Sequence, residues 1–305
     1  MRVVSLLPAA TEIVGALGMM ESLVGVSHEC DYPVQSNDKP RVTHCEIHEA
    51  GLPSSQVDAW VRDTLASRGT LYTMDEPLLR QLRPDVILTQ KLCDVCAVGY
   101  GSVTALAMTL PGPPQVINLE PSSVEDIFRD IQRVASALLV PDRAAAVILS
   151  LRERVERVRS ATAAANQRPP CLLLEWIDPP YCSGHWNPEL VKIAGGFDPL
   201  GQEGMDSTRV EWGSVLAARP EAIVLACCGY PIERTLRDVP ILKSYPGWDS
   251  LPAVRNERVF LVDGCAYFSR PGPRIVDSLE LLAGIIHPKI FSRPDSDRAI
   301  RLRAA

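Results

Sequence analysis

LRQLRPDVILTQ (79–90) and SVLAARPEAIVLAC (214–227) share one pattern, and that pattern decides the fold. Each begins on a helical stretch, meets Arg-Pro and an acidic residue, and runs into an apolar, β-branched strand. Proline stops the helix because it has no N–H to donate and its ring clashes with the preceding turn; the acidic side chain suits a tight turn. One such junction is ordinary, but one in each half of the chain predicts a pseudo-repeat of two α/β blocks.

Working outward, short apolar runs recur at Val3–Leu7, Leu23–Ser27, Val86–Thr89 and Gln115–Leu119, then at Cys171–Trp176, Ala222–Ala226 and Val259–Asp263. Helical segments separate them, with Pro8–Leu17 and 274–286 the clearest. Strands too far apart for hairpins predict mainly parallel sheets. Between the blocks, 122–166 is rich in Ala, Leu, Arg and Glu, and reads as a long connecting helix with Ser122 or Ser123 at its start and Pro141 as its break. The expected organisation is an N-terminal α/β lobe over 1–120, the connecting helix over 121–167, a C-terminal α/β lobe over 168–290 and a loose polar tail over 291–305.

A chain of 305 residues exceeds what one core usually holds, which agrees with two domains. Net charge is −6 and no Lys/Arg stripe interrupts it, so nucleic acid is excluded as an expected partner. No window reaches the ~20 apolar residues of a membrane span. The first residues lack the pattern of a secretory signal, and nine cysteines, an odd number scattered over the chain, fit reduced thiols. The expected location is therefore the cytoplasm, or the periplasm if a signal precedes the chain.

Further stretches carry a family resemblance. SLLPAATEIVGALG (5–18), LVGVSHECDYP (23–33), GHWNPELVKIAGG (184–196), AVRNERVFLVD (253–263) and FSRPGPRIVDSLELLAG (268–284) resemble, in order and together with the two Arg-Pro junctions, the periplasmic substrate-binding proteins that feed ABC importers. The likeness is to the vitamin B12, ferric siderophore and haem group. It implies two α/β lobes joined by one long backbone helix, a ligand cleft between the lobes, binding without catalysis, and an ABC importer or a corrinoid-using enzyme as partner. Cobalamin or a related corrinoid is the ligand that this resemblance implies. The Cys/His-rich stretches HECDYP (28–33), THCEIHEAG (43–51) and KLCDVCAVGYG (91–101) depart from the pattern and point to a signal-less relative.

Ligands of open parallel sheets sit beyond the carboxyl ends of the strands. That rule selects Pro8, Thr11, Tyr32 and Gln90 in the first block, and Trp176, Tyr181, His185, Trp186, Cys228, Tyr230, Tyr267, Phe268 and Arg270 in the second. A corrinoid needs flat apolar surfaces plus groups for its amide rim, and these residues supply both. Each aromatic either meets the ligand or packs its own core; Trp176, Trp186 and Phe268 have the loop-like neighbours that favour the former. His185 serves either as an axial ligand or as a hydrogen-bonding group.

Cys93-Asp-Val-Cys96 has the spacing of a metal or redox pair, and His28 and Cys30 follow a neighbouring strand. The four would suit zinc or an iron–sulfur cluster, or else are small packed residues beside turns. Cys96 or Cys228 is also the candidate nucleophile if the chain is a small-molecule enzyme. No Gly-x-Ser-x-Gly, phosphate loop or H-E-x-x-H sequence is present, and no catalytic set is assigned.

Overall fold

The structure is a computed structural model that describes residues 1–45, 52–91, 98–165 and 167–303. The chain divides into two compact units, one holding 1–45, 59–91, 98–121 and 125–150 of the described residues, the other Leu52–Asp58, Ser122–Val124 and the chain from Leu151 onward.

In the first unit the described elements run β1 (Val3–Ser5), α1 (Pro8–Ala16), β2 (Leu23–Val26), β3 (Thr43–Cys45), α2 (Ser54–Arg68, whose first turn belongs to the second unit), β4 (Tyr72–Met74), α3 (Glu76–Leu82), β5 (Val86–Gln90), α4 (Tyr100–Ala107), β6 (Gln115–Leu119) and α5 (Val124–Ala137). A parallel sheet takes the order β2-β1-β5-β6, and β3 pairs with β4 in an antiparallel ribbon. Every residue of β1 and β5 is buried: the strands open on apolar residues and end on polar ones, Ser5, Thr89 and Gln90, at their carboxyl ends. Val4, Leu6, Ile87, Val103 and Leu106 form one core cluster. On α5, Ile127, Ile131 and Val134 recur at helical spacing and are fully buried.

The expected single connector is two helices. Leu139 (φ 60°) closes α5: its N–H donates to Ser136 O at 3.1 Å and that of Val140 to Ala135 O at 2.9 Å, a Schellman stop with leucine in glycine's usual place. Pro141 then opens α6 (Pro141–Ala163), where its missing N–H costs nothing. The break lies where the proline predicted it.

The second unit continues with β7 (Cys171–Trp176), β8 (Tyr181–Cys182), α7 (Asn187–Ile193), α8 (Trp212–Ala218), β9 (Ala222–Leu225), α9 (Ile232–Ser244), α10 (Pro252–Arg255), β10 (Val259–Val262), α11 (Ile275–Ile286) and β11 (Ala299–Leu302). Its sheet order is β11-β10-β9-β7-β8, with β7, β9 and β10 parallel and both edge strands antiparallel. The tail is therefore not loose: Ala299–Leu302 pairs residue by residue with Val259–Val262 and covers the β10 edge. Among the described residues no helix is long and apolar enough to cross a membrane.

The two Arg-Pro junctions match in backbone detail. Arg83 (φ 44°) ends α3 and Arg219 (φ 46°) ends α8, both left-handed. The amides of Asp85 and Val86 both donate to Arg2 O, and those of Glu221 and Ala222 both donate to Pro170 O.

Candidate functional site

In the first unit, β1 turns into α1 through a knot of small polar groups. Ser5 Oγ donates to Leu7 O (3.0 Å), Thr11 Oγ1 donates to Ser5 Oγ (2.9 Å), and Cys30 Sγ lies 3.1 Å from Thr11 Oγ1 and 3.4 Å from Ser27 Oγ. Pro8, Thr11 and Cys30 are buried, and Thr11 ties the β1–α1 turn to Cys30 in the 27–30 loop. Arg41 Nη1 holds that loop from outside, donating to Ser27 O and Cys30 O. Gln90 is buried at the tip of β5, whereas Tyr32, before a cis Tyr32–Pro33 bond, is 47% exposed.

His28 places Nδ1 2.8 Å from Thr43 Oγ1 and its ring 5.6 Å from that of Tyr72. Burial first, then His44 and Arg41, lower its pKa. Cys93 and Cys96 lie outside the described residues, and His48 with them. Among the described residues no three His, Cys, Asp or Glu side chains gather as a metal-ligand set.

In the second unit two carboxylates hold the loops at the end of β7. Glu175 accepts Asn187 Nδ2 (2.8 Å) and Gly184 N (3.2 Å) on Oε1 and Ser207 Oγ (2.5 Å) on Oε2. Close by, Asp198 accepts Leu173 N and Ser183 Oγ on Oδ2, and Leu200 N and Gly201 N on Oδ1. Burial raises both carboxyl pKa values against the pull of these donors. The two side chains fasten loops 183–187 and 198–207 to the strand. Gly184 is required there, since a Cβ would stand 2.3 Å from Ser207 N.

That frame fixes His185 in the left-handed region (φ 52°): its N–H donates to Met205 O (2.6 Å) and its carbonyl accepts Gly204 N (2.8 Å). The ring stacks on Trp186 at 5.6 Å with Nδ1 3.9 Å from Asp206, and burial lowers its pKa. Trp186 itself is 3% exposed and donates Nε1–H to Phe268 O (2.8 Å). Phe268 is buried as well, at φ 68°. Of the two roles open to these aromatics, the structure shows packing: both are buried and join the α7 start to the segment after β10.

Trp176 and Tyr181 remain partly exposed, while Tyr230, with its ring 4.7 Å from that of Trp176, is buried. Segment 52–58 runs over this edge. Trp176 Nε1 donates to Ser54 O (3.2 Å), Tyr181 OH lies 3.5 Å from Asp58 Oδ1, and Arg234 Nη2 donates to Leu52 O. Arg234 stands 4.3 Å over the Tyr230 ring and pairs with Asp238 at 3.0 Å, both side chains buried. Beyond, Tyr245 OH donates to Asp178 Oδ1 (3.0 Å) and stacks on Trp212 at 4.6 Å. Burial and Asp178 push the Tyr245 pKa up to about 12.

Cys227 and Cys228 point opposite ways: Cys227 is buried, its thiol pushed up to about 12, and Cys228 is exposed. Tyr267 accepts Arg298 Nε at 3.0 Å and sits beside the tail, and Arg270 is buried. Sequence reasoning missed Glu175, Asp198 and Arg234. An acidic residue inside the run CLLLEW, and Arg and Asp four apart on α9, were the available signals.

A family model described as periplasmic binding protein matches residues 3–265. Among curated proteins, the vitamin B12-binding protein of Vibrio cholerae serotype O1 is 21% identical over 289 residues, covering 92% of this chain and 86% of the relative. The vitamin B12-binding protein of Photorhabdus laumondii is 23% identical over 283 residues, with 92% and 86% covered. Of solved structures, a periplasmic heme binding protein from Pseudomonas aeruginosa superposes with TM-score 0.75 at 20% identity, covering 100% of this chain and 99% of that one. The periplasmic vitamin B12 binding protein of Vibrio cholerae superposes with TM-score 0.67 at 20% identity, with 93% and 96% covered.

Proposed function

The chain belongs to the periplasmic binding protein family, and from that premise we propose that it captures a corrinoid, cobalamin or a near relative, and delivers it without chemical change to an ABC-type importer. The observation that carries the ligand class is the match of 92% of the chain to relatives named vitamin B12-binding protein. The site supports it physically. Trp176 and Tyr181 offer flat, partly exposed faces at the β7 edge, and in the same unit Cys228 is exposed in the loop after β9. The ligand meets segment 52–58 on the same edge. On location, the family's description favours the periplasm over the cytoplasm expected from the N-terminal residues.

Cyanocobalamin mixed with the purified protein and passed over a desalting column tests the reading: corrin absorbance should elute with the protein at one equivalent, and Trp176→Ala should weaken retention about tenfold, as loss of a stacked aromatic does. A colourless protein overturns it. The TM-score of 0.75 to a heme binding protein supports haem as the second reading. Hemin run in parallel separates the two, since a haem carrier retains the Soret band and leaves the corrin behind.

A further inference from the structure

We propose that the second unit carries another ligand site, for a small organic anion with an apolar body, in the half-open cavity bordered by α6, α11 and the segment 291–298. The cavity measures about 420 Å³, within the range that small-molecule sites occupy.

Its outer wall is built rather than draped. The segment reaches close to α11 because residue 284 is glycine: a Cβ there would stand 2.5 Å from Ser292 O and 3.1 Å from Pro294 Cδ. Past the wall, the amides of Arg298 and Ala299 both donate to Asp295 O at 3.0 Å, and β11 locks onto β10. Arg298 is further held by Tyr267 OH.

The lining carries four guanidinium groups over an apolar floor of Val158 and Leu281, which are 3% and 4% exposed, with Phe291 beside them. Two of the four are occupied. Arg154 is gripped by Asp277 and Glu280, its Nε 2.9 Å from Glu280 Oε1, and Arg298 shares Asp277 at 4.0 Å. Arg157 and Arg293 line the same cavity and are exposed, and their guanidinium groups make no hydrogen bond or ion pair among the described residues. Asp295 is the one further carboxylate in the lining, so cations exceed anions here although the whole chain carries −6. Two free planar forks above an apolar floor fit a carboxylate, phosphate or sulfonate attached to a hydrocarbon or ring. No residue of this cavity belongs to the corrinoid edge.

Calorimetric titration of the full chain with 8-anilinonaphthalene-1-sulfonate tests the proposal. One equivalent should bind, weaken as salt rises, and persist with cyanocobalamin at saturation. Arg157→Ala/Arg293→Ala should bind about tenfold weaker or worse, and Arg157→Lys/Arg293→Lys should keep part of the affinity. Both arginines are exposed and unpaired, so the melting temperature should not move; if the alanine pair melts early, Arg157→Gln/Arg293→Gln carries the same expectation. Absence of binding, equal affinity in the alanine or glutamine pair, or displacement by cyanocobalamin would each overturn the site.

Discussion

Glu175 is the last residue but one of β7 and has three donors on its carboxylate, and its neutral and charged forms are not equivalent in the fold. Its pKa is raised from 4.5 by burial, so the folded state holds the proton more tightly than the unfolded chain does. The resulting stabilisation is complete below 4.5 and is lost as pH climbs through the folded value. Glu175→Gln keeps the acceptor for Asn187 and Gly184 and offers an amide to Ser207. Urea unfolding between pH 4 and 8 should therefore show the wild type falling behind Glu175→Gln as pH rises, and parallel curves would refute the linkage. Glu175→Ala strips the partners of two loops and should cost about 3 kcal/mol. Gly184→Ala should cost a similar ~3 kcal/mol, because the obstacles its methyl meets are backbone atoms of 205–207 that cannot swing aside. Such roles were half legible: an acid in an apolar run signals a buried network, but nothing local says which loops it holds.

At the scale of elements, the paired junctions at Arg83-Pro84 and Arg219-Pro220 were readable as helix stops that lead into buried strands, since proline leaves the backbone few choices. The left-handed arginines were not foreseen. L-residues are disfavoured there and both side chains are exposed, so Arg83→Gly and Arg219→Gly should each raise stability by up to about 1 kcal/mol in chemical denaturation; a clear loss would show that the arginines do more than end their helices. Reading 291–305 as a loose tail failed because AIRL is only four residues long and follows a polar stretch, and only an unpaired β10 edge makes it a strand. Removing residues 296–305 should expose that edge and lower the melting temperature by several degrees.

For the molecule as a whole, ligand binding to the native state alone stabilises it by about 2.7 kcal/mol at a hundredfold excess over Kd, so saturating cyanocobalamin should raise the melting temperature by roughly 5 °C and leave it unchanged if the corrinoid reading is wrong. The amino-acid order by itself determined two α/β blocks, parallel sheets, the break at Pro141 and the family likeness. These depend on local terms, the period of apolar residues and the stereochemistry of proline, which act wherever the residues occur. Only the tertiary structure decided that Trp176 and Tyr181 keep an exposed face while Trp186, Tyr230 and Phe268 are buried, and that Leu52–Asp58 packs against β7 and α9, more than a hundred residues later. Aromatic rings in similar loop-like surroundings bury or expose their faces according to which distant segment arrives to cover them, and that is a property of packing between elements rather than of any one stretch of chain.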